Sequence, residues 1–223
     1  MQTLRLKSLL PRTSFAAQWD TTIGIFQFDD TDTLDIIRKF LLQKEPDIMK
    51  LGRGNNDISD NSNISSRLHQ YNIFKDFTDE CPQLNQLLDW LRISYLEFLQ
   101  HEASELCDVE ISSWYNVLRD DEPLSEHFHS SDESSYLSGN MNLSTFDTQT
   151  YYRHPLQRNY VPLHNKPGQL AIFPSWLPHG VEHEYVGERI SLALDLYPIH
   201  VRKDWGHPIM FMDQDIFKRL TNK

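Results

Sequence analysis

Cysteine is nearly absent from this sequence: Cys81 and Cys107 are the two thiols in 223 residues. That excludes a disulfide framework and leaves free thiols in a reducing compartment as the simpler reading, so a cytoplasmic location is expected. Long apolar runs are also missing. No stretch of about 18 consecutive apolar residues occurs, which excludes a hydrophobic spanning helix. The N-terminus, Met1 to Ser8, lacks the uninterrupted apolar core of a signal peptide. Positive charge is scarce, with 21 basic residues against 32 acidic ones and a formal net charge of −11. Such a surface repels phosphate backbones, so neither a nucleic acid nor a membrane is expected as a partner. No internal repeat and no long linker is evident, and nothing in the chain speaks to oligomeric state.

What is present is a globular balance, with 39 % hydrophobic and 12 % aromatic residues, in a chain long enough for one sizeable core. Thr22 to Phe28 alternates β-branched, aromatic and polar residues and reads as a strand. Asp29 to Asp32 then offers helix caps, and Leu34, Ile37, Phe40 and Leu41 follow at helical spacing. A helix over about residues 32–44 is predicted, ended by Pro46. Gly52 to Ser66 is rich in Gly, Asn, Asp and Ser and reads as a loop. Its Gly-x-Gly has no strand before it and no helix after it, so it is not a phosphate cradle. Leu84, Leu87, Leu88, Leu91, Tyr95, Phe98 and Leu99 form an i, i+3, i+4, i+7 stripe, predicting a core-packing helix over 83–103.

From Val109 the period changes. Short β-rich runs at 110–118, 136–144, 149–154, 169–173, 180–185 and 189–197 are separated by turn residues, the signature of a sandwich or barrel. The expected fold is α+β and mainly β. Residues 1–105 form an N-terminal helical support, 106–200 a β-barrel core, and 201–223 an apolar tail folded back on the body, all in one structural unit.

The chain has ten histidines, and six fall between His127 and His183. His127 and His129 sit two apart, so on a strand both imidazoles face one way. His179 follows Gln169 to Phe173 and could add a third imidazole from the opposite wall. Three protein ligands with open positions form a catalytic metal site rather than a closed structural one. Asp132, or Glu133, in the Ser-rich loop after the pair is the carboxylate alternative to His129. A hydrated charge cluster is the ordinary reading of that loop. His154, His164 and His183 read as surface or turn residues, and Trp114 and Trp176 as core or rim. Arg189 to Leu196 alternates, placing Arg189 and Ser191 on one face. A guanidinium and a hydroxyl there suit a carboxylate held inside the fold.

In order along the chain come Trp114-Tyr115-Asn116-Val117, His127-x-His129, Leu137-Ser138-Gly139, Pro167 to His179 and Arg189-Ile190-Ser191. This series is similar to the 2-oxoglutarate and Fe(II)-dependent oxygenases of the prolyl-hydroxylase-like group, which include phage and marine bacterial members. For a phage protein the expected location is the host cytoplasm. The resemblance covers about residues 108–197, and Phe173-Pro174-Ser175-Trp176 with His179, Arg189 and Ser191 is its most specific part. It implies a double-stranded β-helix (jelly-roll) barrel. It implies Fe(II) on His127, His129 and His179, and 2-oxoglutarate held by Arg189, Ser191 and Asn116. O2 and a prime substrate would be consumed, with succinate and CO2 released, by a dioxygenase that hydroxylates a protein side chain or small molecule.

Two departures stand out. Most of the wider superfamily use His-x-Asp or His-x-Glu where this chain has His-x-His. Asn140-Met141-Asn142-Leu143 stands where a tyrosine-bearing strand usually follows Ser138-Gly139. The competing readings are a cupin-type metalloenzyme without 2-oxoglutarate and a non-catalytic jelly-roll interaction module.

Overall fold

The structure is a computed structural model that describes residues 1–52, 64–119, 122–154, 159–181, 187–201 and 210–212. It is mainly β. Its strands are β1 (Gln2–Lys7), β2 (Asp20–Gln27), β3 (Val109–Arg119), β4 (Leu124–His127), β5 (Leu137–Asn142) and β6 (Thr148–Arg153). They continue with β7 (Tyr160–Asn165), β8 (Gln169–Pro174), β9 (His179–Val181), β10 (Glu188–Pro198) and β11 (Met210–Met212). The helices are α1 (Thr31–Ile48), α2 (Ile73–Asp76) and α3 (Gln83–His101). A seven-stranded major sheet runs β1-β2-β8-β5-β10-β3-β11 and a four-stranded minor sheet runs β4-β9-β6-β7, with every pairing antiparallel.

The expected α+β, mainly β fold is borne out as two antiparallel sheets; among the described residues neither sheet closes on itself into a barrel. The first strands are part of this architecture. β1 and β2 extend the major sheet through β8, so the N-terminal segment supplies sheet as well as helical support. The patterns of β1, β4 and β7 were too short or too polar to read from sequence. Residues 53–63, within the loop expected over 52–66, and most of the tail, 202–209 and 213–223, lie outside the described residues, as does His183.

Each face of the major sheet has its own job, and β10 shows how. Ile190, Leu192, Leu194 and Leu196 point to one side, Arg189, Ser191, Ala193 and Asp195 to the other. The apolar side joins Leu84, Leu87, Leu88, Leu91, Tyr95 and Phe98 of α3 and Leu34, Ile37 and Leu41 of α1 in the larger core. Fully burying each such side chain contributes about 1.5–3 kcal/mol, which makes this face the stable platform. The polar side looks toward the minor sheet over a smaller apolar cluster of Leu6, Ile23, Tyr152, Ala171, Phe173 and Leu177.

Helix α1 starts where Asp30 accepts the Thr33 backbone N–H at 3.0 Å, a side-chain N-cap. It does not stop at Pro46, as expected, but runs to Ile48. Pro46 lies in the last turn, where the missing N–H removes a single ladder bond, and buried Ile48 anchors the end.

Candidate metal centre

The turn after β8 assembles the site. Gly168 opens the strand at φ +77°, and a Cβ there would lie 2.4 Å from the Phe28 carbonyl oxygen, so only glycine fits. Beyond β8, the Leu177 N–H donates to the Pro174 carbonyl at 2.9 Å, closing a tight turn that delivers His179 to β9. The Ser175 carbonyl in this turn accepts the backbone N–H groups of His129 at 2.9 Å and Ser130 at 3.2 Å. One turn therefore places two of the three histidines.

His127 ends β4 and is in register with His179 on neighbouring β9, with ring centroids 4.5 Å apart. The His129 ring lies 5.4 Å from His127 and 5.1 Å from His179. One candidate ligand atom from each residue falls within 4.8 Å of the other two. The three are brought together, but not as the spacing suggested. His127 and His129 do not share a strand, because β4 ends at His127 and Ser175 captures the chain beyond it. His179 is not on an opposite wall but on the adjacent strand of the same sheet.

Second contacts orient all three rings. The Nδ1 of His127 meets the Ser125 carbonyl at 2.8 Å, that of His179 the Leu177 carbonyl at 2.9 Å, and that of His129 the Asp195 carboxylate at 2.5 Å. Carbonyls and carboxylates only accept, so each Nδ1 carries the proton, and Nε2 is left as the ligand atom. Burial, reinforced by the neighbouring His129, lowers the His127 pKa to about 4. Burial likewise holds His179 well below the usual histidine range, with His127 and His129 adding to the effect. Both are neutral at pH 7, the form a metal requires. Three converging nitrogen donors, with no fourth candidate ligand grouped with them among the described residues, fit an Fe(II) ion that keeps open positions.

Asp132 is not at this cluster. Its carboxylate is exposed and accepts the Ser134 N–H at 2.8 Å and hydroxyls of Ser134 and Ser130, a loop-turn role. Glu133 shares that exposed loop.

The polar face of the major sheet continues the site. Ser191 of β10 sits opposite Asn116 of β3 and Asn142 of β5, and Arg189 lies one pair away on the same face. Arg189, Ser191 and Asn116 are all about 95 % buried. Asn142 is committed to structure, donating to the Phe146 and Asn165 carbonyls at 2.9 Å each.

Sequence reading missed Tyr152, Asp195 and the role of Trp114. Tyr152 reaches across from β6, its hydroxyl accepting from Asn140 Nδ2 at 3.3 Å and its ring 5.9 Å from His179. Burial pushes its hydroxyl pKa up, while Asn140 and the Arg189 charge oppose the rise, so Tyr152 and Arg189 share one environment. A tyrosine is thus present although β5 carries none; it comes from the facing sheet, and the buried alternation of Thr148, Thr150 and Tyr152 was its only signal. The Trp114 ring packs 5.5 Å from His129, and Phe173 meets His179 edge-on at 4.7 Å. His154, expected at the surface, is buried beside Trp19 with ring centroids 5.9 Å apart.

Residues 112–195 match the family described as "Putative 2OG-Fe(II) oxygenase", a span that contains all three histidines and Arg189. Over this stretch the chain is similar to 2OG-Fe(II) oxygenase domains. The chain shares its fold with a Trichoplax adhaerens prolyl hydroxylase solved with a hypoxia inducible factor peptide fragment. That match has a TM-score of 0.60 and 12 % identity, over 80 % of this chain and 84 % of that one. A Phytophthora capsici prolyl 4-hydroxylase matches with a TM-score of 0.50 and 12 % identity, over 89 % of this chain and 66 % of that one. A Pseudomonas putida prolyl-4-hydroxylase also matches, with a TM-score of 0.47 and 14 % identity, over 78 % of this chain and 88 % of that one. Comparison with the curated proteins gives no match. The family implies 2-oxoglutarate and O2 as co-substrates, Fe(II) as the metal, and a prime substrate. No helix among the described residues is long and apolar enough to cross a membrane.

Proposed function

We propose that the protein is a 2-oxoglutarate- and Fe(II)-dependent dioxygenase that hydroxylates a protein side chain or a small molecule. His127, His129 and His179 hold the iron, and Arg189, Ser191 and Asn116 hold the co-substrate. The observation that carries this is the convergence of three Nδ1-tethered imidazoles beside a buried arginine face, inside the stretch similar to 2OG-Fe(II) oxygenase domains.

Fe(II) with 2-oxoglutarate would supply the oxidising power, consuming O2 and releasing succinate and CO2. The chain's own residues do the rest. The Nδ1 tethers fix each ring so that Nε2 faces the metal without reorganisation. Arg189 clamps the far carboxylate of 2-oxoglutarate as a bidentate cation, with Ser191, Asn116 and Tyr152 adding hydrogen bonds at the same depth. Phe173, Leu177 and Trp114 keep bulk water from the rings, which strengthens every polar contact inside. The net charge of −11 favours a protein or small-molecule prime substrate over nucleic acid, and the cysteine usage favours the cytoplasm.

The test is coupled turnover. Protein loaded with Fe(II) under anaerobic conditions should, on exposure to O2, convert 2-oxoglutarate to succinate, and His179→Ala should abolish this together with iron retention. Iron bound tightly with no 2-oxoglutarate consumption, even with added reductant, would favour a cupin-type enzyme. No iron uptake at all would favour a non-catalytic module.

A further inference from the structure

Asp195 is a carboxylate in a place where carboxylates are costly. It lies on β10, 8 % exposed, on the same face as Arg189 and Ser191. Its Oδ1 accepts from His129 Nδ1 at 2.5 Å and from the Ser138 hydroxyl at 2.6 Å, and its Oδ2 accepts from the Tyr197 hydroxyl at 3.1 Å. Ser138 is itself tied to the Ser175 hydroxyl at 3.0 Å, the residue whose carbonyl anchors the His129 backbone. These contacts hold ring and carboxylate as one unit. The three donors are an imidazole, an alcohol and a phenol, none a permanent cation. Burying an anion is costly, and these three contacts, the His129 ring first among them, are what hold it there. A divalent metal on the far side of the His129 ring would add to that stabilisation, linking the carboxylate to the metal through the imidazole.

The charge count points the same way. A His-x-Asp site places one anionic oxygen on the metal, whereas three neutral imidazoles place none. We propose that Asp195 is the anionic arm of the metal centre: a positioning residue that supplies, through His129, the negative charge that His-x-Asp sites put on the metal directly. The carboxylate polarises Nδ1–H and makes Nε2 a stronger donor, and it fixes the ring plane. This rests on His127, His129 and His179 forming the metal site.

The test is Co(II) titration of the full chain, read by its ligand-field absorption, for wild type, Asp195→Asn, His129→Ala and the double variant. Asparagine keeps the shape and an accepting oxygen while removing the charge. It should weaken Co(II) binding about 10–100-fold and shift the absorption band. In the His129→Ala background the same change should cost less than twofold, because its route to the metal is gone. Equal losses in both backgrounds, or no loss in either, would overturn the proposal. If Asp195→Asn does not accumulate as folded protein, Ser138→Ala reads the same link. It should weaken Co(II) binding several-fold only when His129 is present, and an unchanged affinity would count against the proposal. Failure of the wild type to bind Co(II) would instead sink the metal site itself.

Discussion

Removing the Arg189 guanidinium should separate co-substrate binding from metal binding. Arg189 lies on β10 with 4 % exposure, on the face that carries Ser191 at 4 % and, across the sheet, Asn116 at 5 %. The surroundings are therefore dry, and screening by solvent is weak. A charge-assisted hydrogen bond at such a site is worth about 1.5–3 kcal/mol, so a bidentate clamp is worth about 3–6 kcal/mol. Since about 1.4 kcal/mol is a factor of ten, Arg189→Ala should raise the 2-oxoglutarate Kd by about 10²–10⁴. Arg189→Lys keeps a point charge and should recover only part of the loss. Because Arg189 is not among the clustered histidines, Co(II) affinity should stay within about threefold of wild type. Isothermal calorimetry of 2-oxoglutarate against the Co(II)-loaded variants, and of Co(II) against the metal-free variants, measures the two quantities separately. A 2-oxoglutarate Kd within threefold of wild type in Arg189→Ala would refute the assignment. A parallel collapse of metal affinity would show that the residue supports the fold instead.

Three further outcomes are expected. Phe173→Ala removes a fully buried ring that touches both Tyr152 and His179, and should lower stability by about 3–5 kcal/mol in urea unfolding. Gly168→Ala forces a non-glycine residue to φ +77° with its Cβ 2.4 Å from the Phe28 carbonyl, and should cost at least about 1–2 kcal/mol by the same measurement. The third concerns pH. The His127 pKa falls to about 4 on folding, and that of His179 also falls, so the unfolded chain binds more protons below the ordinary histidine pKa of about 6.5. The stability of chelator-treated protein should therefore be full above about pH 6.5 and decline toward pH 4, by a few kcal/mol. His127→Ala should flatten that slope, and an unchanged slope would contradict the burial of that ring.

The sheet-forming half was legible because its strands carry a period of two on a half-buried face. β10 announces both its core side and its polar side in eight residues, Arg189 to Leu196. The two long helices were legible for the parallel reason, with Pro46 misread, whereas the four-residue α2 is too short to show a period. Pro46 looks like a stop in sequence, but one lost ladder bond near the end is outweighed by the burial of Ile48. The short edge strands were not legible, since β4 has four residues and no apolar alternation.

At the site, the identities of the three histidines could be read, but their arrangement could not. His129 reaches the cluster through a bond from its backbone to Ser175, which no spacing encodes. Asp195 looked like one polar position in an alternating strand. What it does depends on β10 and the 128–136 loop meeting in space, and Tyr152 depends in the same way on two sheets facing each other. Local pattern reports which side a residue faces. It does not report what waits on that side.

The central claim is that three histidines hold Fe(II) with positions left for 2-oxoglutarate beside Arg189. Its most direct test is anaerobic addition of 2-oxoglutarate to the Fe(II)-loaded protein, watched by visible absorption. A metal-to-ligand charge-transfer band that saturates at one 2-oxoglutarate per iron, and is absent in His179→Ala, is the expected result. Iron bound with no such band at saturating 2-oxoglutarate would contradict the account.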